Sequence, residues 1–167
     1  MNTATLSNHR LWAYLQMMRP ANIVTAWADI LAGFAASSFL LTSQLELVTL
    51  TNMMPLAWLL LATTGLYGGG VVFNDVFDAE LDAKERPERP IPSGRASIQS
   101  ATLLGSVLLV LGVLAAAQVS WLSAVLAACI AVAALLYDAV SKHYTVLGPL
   151  NMGLCRGGNL MLGVSAV

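Results

Sequence analysis

Charged residues are distributed unevenly along this chain, and long stretches contain none. Of the 17 Asp, Glu, Lys and Arg residues, ten lie between Asp75 and Arg95. Charged residues make up only 10% of the sequence, whereas soluble proteins usually carry about 25%. Several of the uncharged stretches approach the roughly 20 apolar residues that a helix needs to cross a bilayer. The sequence therefore predicts an all-α, multi-spanning transmembrane helical bundle.

The apolar stretches predict about five membrane spans, at 22–41, 53–73, 98–119, 121–137 and 146–167. The fourth is short, but Trp121 and Tyr137 at its ends are typical of a membrane interface. Only a tight turn near Ser120 separates the third and fourth spans, so we expect these helices to be antiparallel neighbours. Residues 1–18 are predicted to form a short amphipathic helix that lies on the membrane surface. We interpret residues 1–167 as one transmembrane domain.

The positions of Lys and Arg predict how the chain is oriented in the membrane, because these residues are enriched in cytoplasmic loops. They occur before the first span and in the 74–97 and 138–145 loops, but not in the 42–52 loop or the 118–120 turn. We therefore predict a multi-pass integral membrane protein whose N-terminus and two basic loops are cytoplasmic.

Net charge and cysteine content exclude several other classes of protein. The net charge of −1 provides no basic field for binding nucleic acid. Cys129 and Cys155 both lie in apolar segments and match neither a disulfide framework nor a zinc site. We expect a lipid bilayer as a partner and no nucleic acid.

The segment that follows the second span carries closely spaced acidic residues. If it continues as a helix at 100° per residue, Asp75, Asp78 and Asp82 lie within about 60° of one another. Asn74 widens this arc to about 100°, while Glu80 points the opposite way. Three carboxylates and one carboxamide are thus expected on one face, at the cytoplasmic end of the bundle.

Three carboxylates so close together would repel one another strongly unless a cation lies between them. Mg²⁺ characteristically binds through a few carboxylates, water molecules and the phosphates of a substrate. The spacing therefore favours Mg²⁺ shared with a phosphorylated ligand. A solvated, non-functional loop is the simpler alternative, but the one-sided spacing beside Gly68, Gly69 and Gly70 argues against it.

The string NDVFDAELD, followed by ERPERPIPSG, resembles the first aspartate-rich motif of the UbiA superfamily of intramembrane prenyltransferases. The resemblance extends more loosely from Arg19-Pro20 to the end of the chain. It implies a helical bundle with a central cavity and a cytoplasm-facing active site. It also implies that the motif residues hold Mg²⁺ against the diphosphate of an isoprenyl donor; the metal ligands would be Asn74, Asp75, Asp78 and Asp82. Asp75 and Asp78 would in addition be catalytic residues.

The resemblance implies transfer of an isoprenyl group from a prenyl diphosphate to a lipophilic or aromatic acceptor in the membrane. Breaking the allylic carbon–oxygen bond places negative charge on the departing diphosphate, which metal ions and preorganised cations stabilise. An apolar cavity would shelter the lipid chain and exclude water.

Several basic or polar residues are candidates for binding the diphosphate, each with a simpler alternative. Arg19 and Asn22 match an RPxN pattern of the family's first helix, although Arg19 also suits a topological anchor. Arg86 and Arg89, in a proline-rich segment expected to be stiff and extended, would contact either phosphate or anionic lipid headgroups. Lys142 resembles a loop lysine that the family directs at the diphosphate and is also a catalytic candidate, although a lone loop lysine also suits a purely topological role.

Arg156 lies well inside the fifth span, where an arginine is energetically expensive and marks a functional site by default. We include it among the diphosphate-binding candidates. Its expected partner is Asp29 in the first span, and a purely structural ion pair is the competing interpretation.

The family carries a second aspartate-rich motif that this sequence lacks, since Asp138 is the only acidic residue after Glu88. The fifth span also runs to Val167 without a polar tail. We therefore expect a truncated chain, the N-terminal part of a larger bundle, whose activity alone is in question. The alternative function is a non-catalytic membrane protein that binds a lipid phosphate or serves as a subunit of a transport or biosynthetic complex. A phosphatidyl-type transferase is excluded because no DGxxAR string is present.

Overall fold

The computed structural model describes residues 3–41 and 50–166, and the regular structure in these ranges is helical. The helices, in chain order, are α1 (Thr3–Met18), α2 (Pro20–Leu41), α3 (Leu50–Phe77), α4 (Ala79–Glu85), α5 (Ile98–Ala117), α6 (Trp121–Ala139) and α7 (Leu147–Val164). A single 3₁₀ turn at Ser141–His143 precedes α7. Residues 42–49, which form most of the predicted 42–52 loop, lie outside the described residues.

The five predicted spans coincide with α2, α3, α5, α6 and α7, and the predicted all-helical membrane bundle is confirmed. Among the described residues, three segments are long and apolar enough to cross a bilayer, namely Met53–Phe77, Ile98–Ala117 and Trp121–Ala139. The predicted turn at Ser120 is also present. The Ser120 side chain caps α6 by accepting a hydrogen bond from the Ser123 backbone N–H, 3.0 Å away.

Glycines allow the two closest helix pairs to approach each other. A Cβ atom added at Gly65 of α3 would lie 2.5 Å from the carbonyl oxygen of Leu108 in α5. A Cβ atom at Gly163 of α7 would collide with the backbone carbonyl of Ile30 in α2. Small residues at helix interfaces are a general feature of membrane bundles, because close backbone approach maximises van der Waals contact. The main hydrophobic core lies between these pairs and includes Ile30, Leu59 and Leu162.

The predicted N-terminal helix is present as α1, and one of its faces is packed against the bundle. Ala13 and Met17 are fully buried, and the Tyr14 hydroxyl donates a hydrogen bond to Ser100 Oγ at 2.8 Å. Leu11 and Trp12 on the other face are exposed.

A second small core, formed by Met17 with Val72, Ala96 and Ala101, thus closes the end of the bundle that carries the aspartate-rich segment.

The aspartate-rich segment departs from the predicted continuous helix at one residue. Asp78 adopts φ −89° and ψ 4°, between α3 and α4. Its backbone still donates to Asn74 O at 3.0 Å and accepts from Asp82 N at 2.8 Å. This bridge region of conformational space is common at active-site residues. The helix therefore changes its course at Asp78 without losing the hydrogen bonds on either side.

The proline-rich segment after α4 is not helical, as predicted, but it is a series of turns and not an extended strand. The Ser93 backbone N–H donates to Arg89 O at 3.0 Å, and Ala96 N donates to Pro90 O at 3.0 Å. Gly94, with φ 73°, provides the left-handed residue that the last turn requires. Prolines fix φ near −65°, which suits turns as well as extended chain.

Candidate active site

Asp75, at the C-terminal end of α3, is the centre of a cluster of charged side chains. Only 6% of Asp75 is exposed. Its Oδ1 atom accepts hydrogen bonds from Arg19 Nη2 at 2.8 Å and from Arg89 Nη1 at 3.3 Å. Two guanidinium groups from distant parts of the sequence therefore meet on a single carboxylate oxygen.

Arg19 reaches Asp75 because of an unusual backbone conformation between α1 and α2. Its φ is 47°, in the left-handed region that non-glycine residues rarely adopt. Such strain costs on the order of 1–3 kcal/mol and persists only where surrounding contacts impose it. Here the turn lets α1 fold onto the bundle while the Arg19 side chain points at Asp75.

Arg89 joins the two ends of the aspartate-rich segment. Its Nη1 atom lies 2.7 Å from Asp82 Oδ2 as well as 3.3 Å from Asp75 Oδ1. The turns that follow α4 bring Arg89 back over the acidic face. Arg86, by contrast, is exposed at the end of α4, and the structure does not bring it to the carboxylates.

Asp78 and Asn74 are bound by residues from α6 and the loop that follows it. Lys142 Nζ lies 2.6 Å from Asp78 Oδ1. Asn74 Nδ2 donates to Asp138 Oδ1 at 2.9 Å, and only 4% of Asp138 is exposed. Asp138 was not identified as a site residue from the sequence, although its being the sole acidic residue after Glu88 was a signal that could have identified it.

The cluster thus holds four carboxylates and three basic groups among the described residues. No three Asp, Glu, His or Cys side chains in the described ranges form a group able to ligate one metal ion, and each of the three motif aspartates is paired with a cation. The donor set still fits a hard divalent cation, since Mg²⁺ needs only one or two protein carboxylates when phosphates and water supply the rest.

A cavity of about 370 Å³ extends from this cluster between α2, α3, α6 and α7. Arg19, Asn74 and Asp138 line one end of it, while its middle is formed by apolar and aromatic side chains that include Leu66, Tyr67, Ile130, Ala134 and Tyr137. Asp29 lies ten residues beyond Arg19 along the chain, a rise of about 15 Å in a helix. The cavity therefore reaches deep into the bundle.

The deep end of the cavity is polar again. Arg156 Nε lies 2.9 Å from Asp29 Oδ2, which confirms the pairing predicted from the sequence. Thr63 Oγ1 donates to Asn159 Oδ1 at 2.7 Å, and Asn159 Nδ2 donates to the carbonyl oxygen of Ala26 at 2.8 Å. Thr63 and Asn159 also line the cavity and were not identified as site residues from the sequence.

Besides Arg86, two further candidates, Asn22 and Arg156, lie apart from the charged cluster. Asn22 is exposed near the start of α2, where its backbone carbonyl accepts a hydrogen bond from Thr25. Arg156 contacts Asp29 and not the motif aspartates. The assignment of both residues to a diphosphate stays a prediction.

The fold and the site together define an integral membrane helical bundle with a charge-rich cluster at the mouth of an intramembrane cavity. The chain belongs to the UbiA prenyltransferase family, whose sequence model matches residues 30–167. The family resemblance inferred from the aspartate-rich motif is thereby confirmed.

Curated relatives and a solved structure are similar over nearly the whole chain. Digeranylgeranylglyceryl phosphate synthase of Methanothrix thermoacetophila is 36% identical over 149 residues, which cover 89% of this chain and 52% of that protein. The synthase of the same name from Methanosarcina barkeri is 30% identical over 155 residues, covering 91% and 54%. A solved structure concerned with digeranylgeranylglyceryl phosphate synthase in membranes superimposes with a TM-score of 0.82 at 25% identity, covering 94% and 53%. The chain spans about half the length of the curated relatives it matches.

Proposed function

We propose that this chain forms the donor-binding part of a prenyltransferase. The enzyme would transfer an isoprenyl group from a prenyl diphosphate to a membrane-associated acceptor, with Mg²⁺ as its cofactor. The single observation that carries this proposal is the set of ion pairs at the cavity mouth. Arg19 and Arg89 both bind Asp75, and Lys142 binds Asp78. These pairs place candidate metal ligands and candidate diphosphate ligands in direct contact.

This pairing suggests how the diphosphate would be bound. The residues that would hold Mg²⁺ are Asn74, Asp75, Asp78 and Asp82, and the ion would supply positive charge to the departing diphosphate oxygen. Released from their carboxylates, Arg19, Arg89 and Lys142 would donate hydrogen bonds to phosphate oxygens. Guanidinium groups suit this task because their planar donors match phosphate geometry. Asn22 and Arg86, exposed near the same end of the bundle, would add outer contacts.

The cavity supports the second requirement of the reaction, which is protection of the allylic carbon from water. Its middle section is lined by Leu66, Val71 and Ile130, which would pack against the isoprenyl chain. The faces of Tyr67 and Tyr137 would stabilise positive charge on that chain through cation–π attraction. The named relatives are synthases of a geranylgeranyl-bearing glyceryl phosphate, so a geranylgeranyl donor is the first to test.

The proposal is tested by binding, because binding does not require a complete catalytic cycle. The chain is placed in lipid nanodiscs, and the Kd of geranylgeranyl diphosphate is measured with Mg²⁺ and with a chelator. We expect Mg²⁺ to tighten binding by on the order of tenfold or more, as charge-assisted contacts typically do. In Asp75→Ala and Asp78→Ala this metal-dependent gain should disappear.

Measuring the Kd both with and without Mg²⁺ distinguishes a variant that has lost the metal site from one that has lost its fold. Asp75→Ala also leaves Arg19 without its carboxylate and Arg89 paired with Asp82 alone, so metal-free binding should not weaken and is expected to improve. Glu80→Ala is the matched control, because Glu80 is an exposed acid in the first turn of α4, two residues after Asp78. It should keep the metal-dependent gain. Equal affinity with and without Mg²⁺ in the folded wild-type chain would contradict the proposal and favour a non-catalytic protein that binds lipid phosphate.

A further inference from the structure

The diphosphate site proposed above makes no use of the ion pair at the deep end of the cavity. Asp29 and Arg156 meet about 15 Å along α2 from Arg19, beyond the reach of a diphosphate bound at the mouth. The isoprenyl chain is a hydrocarbon and provides no partner for a carboxylate or a guanidinium. A polar deep end therefore needs another ligand.

A purely structural role explains the pair poorly. The Asp29 side chain is only 17% exposed, whereas that of Arg156 is 55% exposed although it lines the cavity. Charges within a membrane bundle are costly and mark functional positions by default. The two helices are already joined without this pair, by the close approach at Gly163 and by the hydrogen bond from Asn159 to Ala26.

The geometry of the pair leaves hydrogen-bonding capacity on both partners. Arg156 Nη2 donates a hydrogen bond to Asp29 Oδ1 at 3.0 Å, and Arg156 Nε lies 2.9 Å from Asp29 Oδ2. Its Nη1 makes none of the hydrogen bonds seen within the described part of the chain. Asp29 Oδ2 is near Arg156 Nε, but the N–H direction is not aligned, so this buried oxygen accepts no hydrogen bond among the described residues. Arg156 thus has an N–H donor to offer a ligand, and Asp29 has an acceptor oxygen that lacks a donor.

These properties indicate which charge and which functional group a ligand of the pair should have. Asp29 cancels the charge of Arg156, so an anionic group would be repelled by the carboxylate as it approached the guanidinium. A hydroxyl group is neutral, donates one hydrogen bond and accepts others. It can therefore satisfy Asp29 and Arg156 at once, with Thr63 and Asn159 beside them.

We propose that the deep end of the cavity, formed by Asp29 and Arg156, binds an uncharged hydroxyl group at the far end of the acceptor. The identification of this ligand as the acceptor rests on the proposed function, but its binding requires neither metal nor diphosphate. The acceptor would thus have a nucleophilic end at the cavity mouth and a hydroxyl-bearing end inside the membrane.

Three rigid probes of similar size test the assignment on the wild-type chain. They are 4,4′-dihydroxybiphenyl, its dimethyl ether, and 4′-methoxybiphenyl-4-carboxylate, so that only the diol carries a free hydroxyl group. Kd values are measured in nanodiscs without divalent metal, with empty nanodiscs as the correction for partitioning. We expect the diol to bind about tenfold more tightly than the ether, which is the value of one well-formed hydrogen bond. The carboxylate should bind more weakly than the diol.

Variants then locate the effect. The neutral double variant Asp29→Asn/Arg156→Gln should bind the diol and the ether equally. Asp29→Asn alone leaves an unpaired Arg156, so the preference should shift towards the carboxylate. Thr64→Val is the control, because Thr64 is a partly buried polar residue of the same helix as Thr63 and is bonded to Trp27. It should keep the preference for the diol.

The possible outcomes are separable from those of the diphosphate experiment. Equal affinity for diol and ether in the wild-type chain would overturn the inference, and so would a preference that survives in the double variant. Tighter binding of the carboxylate by the wild-type chain would overturn the assignment of a neutral group. A failure of Mg²⁺-dependent diphosphate binding would leave these three results unchanged, because none of them requires metal.

Discussion

Asn74 and Asp138 show how a single side-chain contact connects two helices within the site. An unrestrained carboxamide can present either its oxygen or its nitrogen to a ligand. Because Asn74 Nδ2 donates to the buried Asp138 at 2.9 Å, the Oδ1 atom of Asn74 is the one that faces away from Asp138 and is left for a ligand. Asp138 is thus a positioning residue for a candidate metal ligand, and it does not itself have to touch the metal.

This role predicts non-additive effects of substitution. Asp138→Ala should weaken Mg²⁺-dependent binding of the diphosphate by roughly 10- to 100-fold, the usual effect of removing the partner that orients a metal ligand. Asn74→Ala should weaken it to a similar degree. The double variant should be little worse than either single one, since both remove the same oriented oxygen. Effects that multiply in the double variant would show that Asp138 acts independently of Asn74.

The sequence identified the residues whose spacing or motif is informative by itself. The aspartate-rich segment, Arg19, Arg89 and Lys142 were all singled out, and the structure brings them together at one end of the bundle. Asp138 and Asn159 were missed as site residues. Their partners lie 64 and 96 residues away in the sequence, and helical periodicity contains no information about such pairings.

At the scale of helices, apolar segment length was sufficient to place the five long helices of the bundle within a few residues. The helix break at Asp78 and the turns after α4 were not predicted, because both depend on contacts that the segment makes elsewhere. Asp78 is held by Lys142 from the loop after α6, and Arg89 is held by two carboxylates of the preceding helices. Local propensity alone would have continued the helix through Asp78 and left the prolines extended.

Helix packing gives a stability prediction with an internal control on α7. Gly163→Ala places a methyl group on the backbone of Ile30, which cannot move aside as a side chain would. We expect a loss of about 1–3 kcal/mol in the free energy of unfolding, as for other overpacked interfaces. Gly157→Ala on the same helix meets no atom within 4 Å and should be neutral or stabilising. Unfolding in mixed micelles, followed by circular dichroism, measures both variants.

A similar loss for both variants would contradict this interpretation. It would indicate that α7 responds to any change of helix propensity, and that the close approach to α2 is not the cause. The comparison is informative because both substitutions are Gly→Ala in one helix and differ only in the space around the added methyl group.

Across the whole molecule, the charged contacts determine which loops share a side of the membrane. Arg19 binds Asp75 across 56 residues of sequence, and Lys142 binds Asp78 across 64 residues. These contacts require the start of α2, the end of α3 and the loop after α6 to lie at the same end of the bundle. The 118–120 turn joins α5 and α6 at the opposite end. This arrangement agrees with the distribution of Lys and Arg, which predicts that the charged end is cytoplasmic.

Single-cysteine labelling in spheroplasts tests that orientation. In a background with Cys129 and Cys155 replaced by alanine, Glu85→Cys and Gln118→Cys introduce thiols at exposed positions at opposite ends of the bundle. A membrane-impermeant maleimide should label Gln118→Cys in intact spheroplasts, and Glu85→Cys only after permeabilisation, because basic loops stay on the cytoplasmic side. The reverse pattern would place the charged cluster outside the cell. A donor diphosphate made in the cytoplasm could then not reach Asp75, and the proposed transferase reaction would lose its substrate supply.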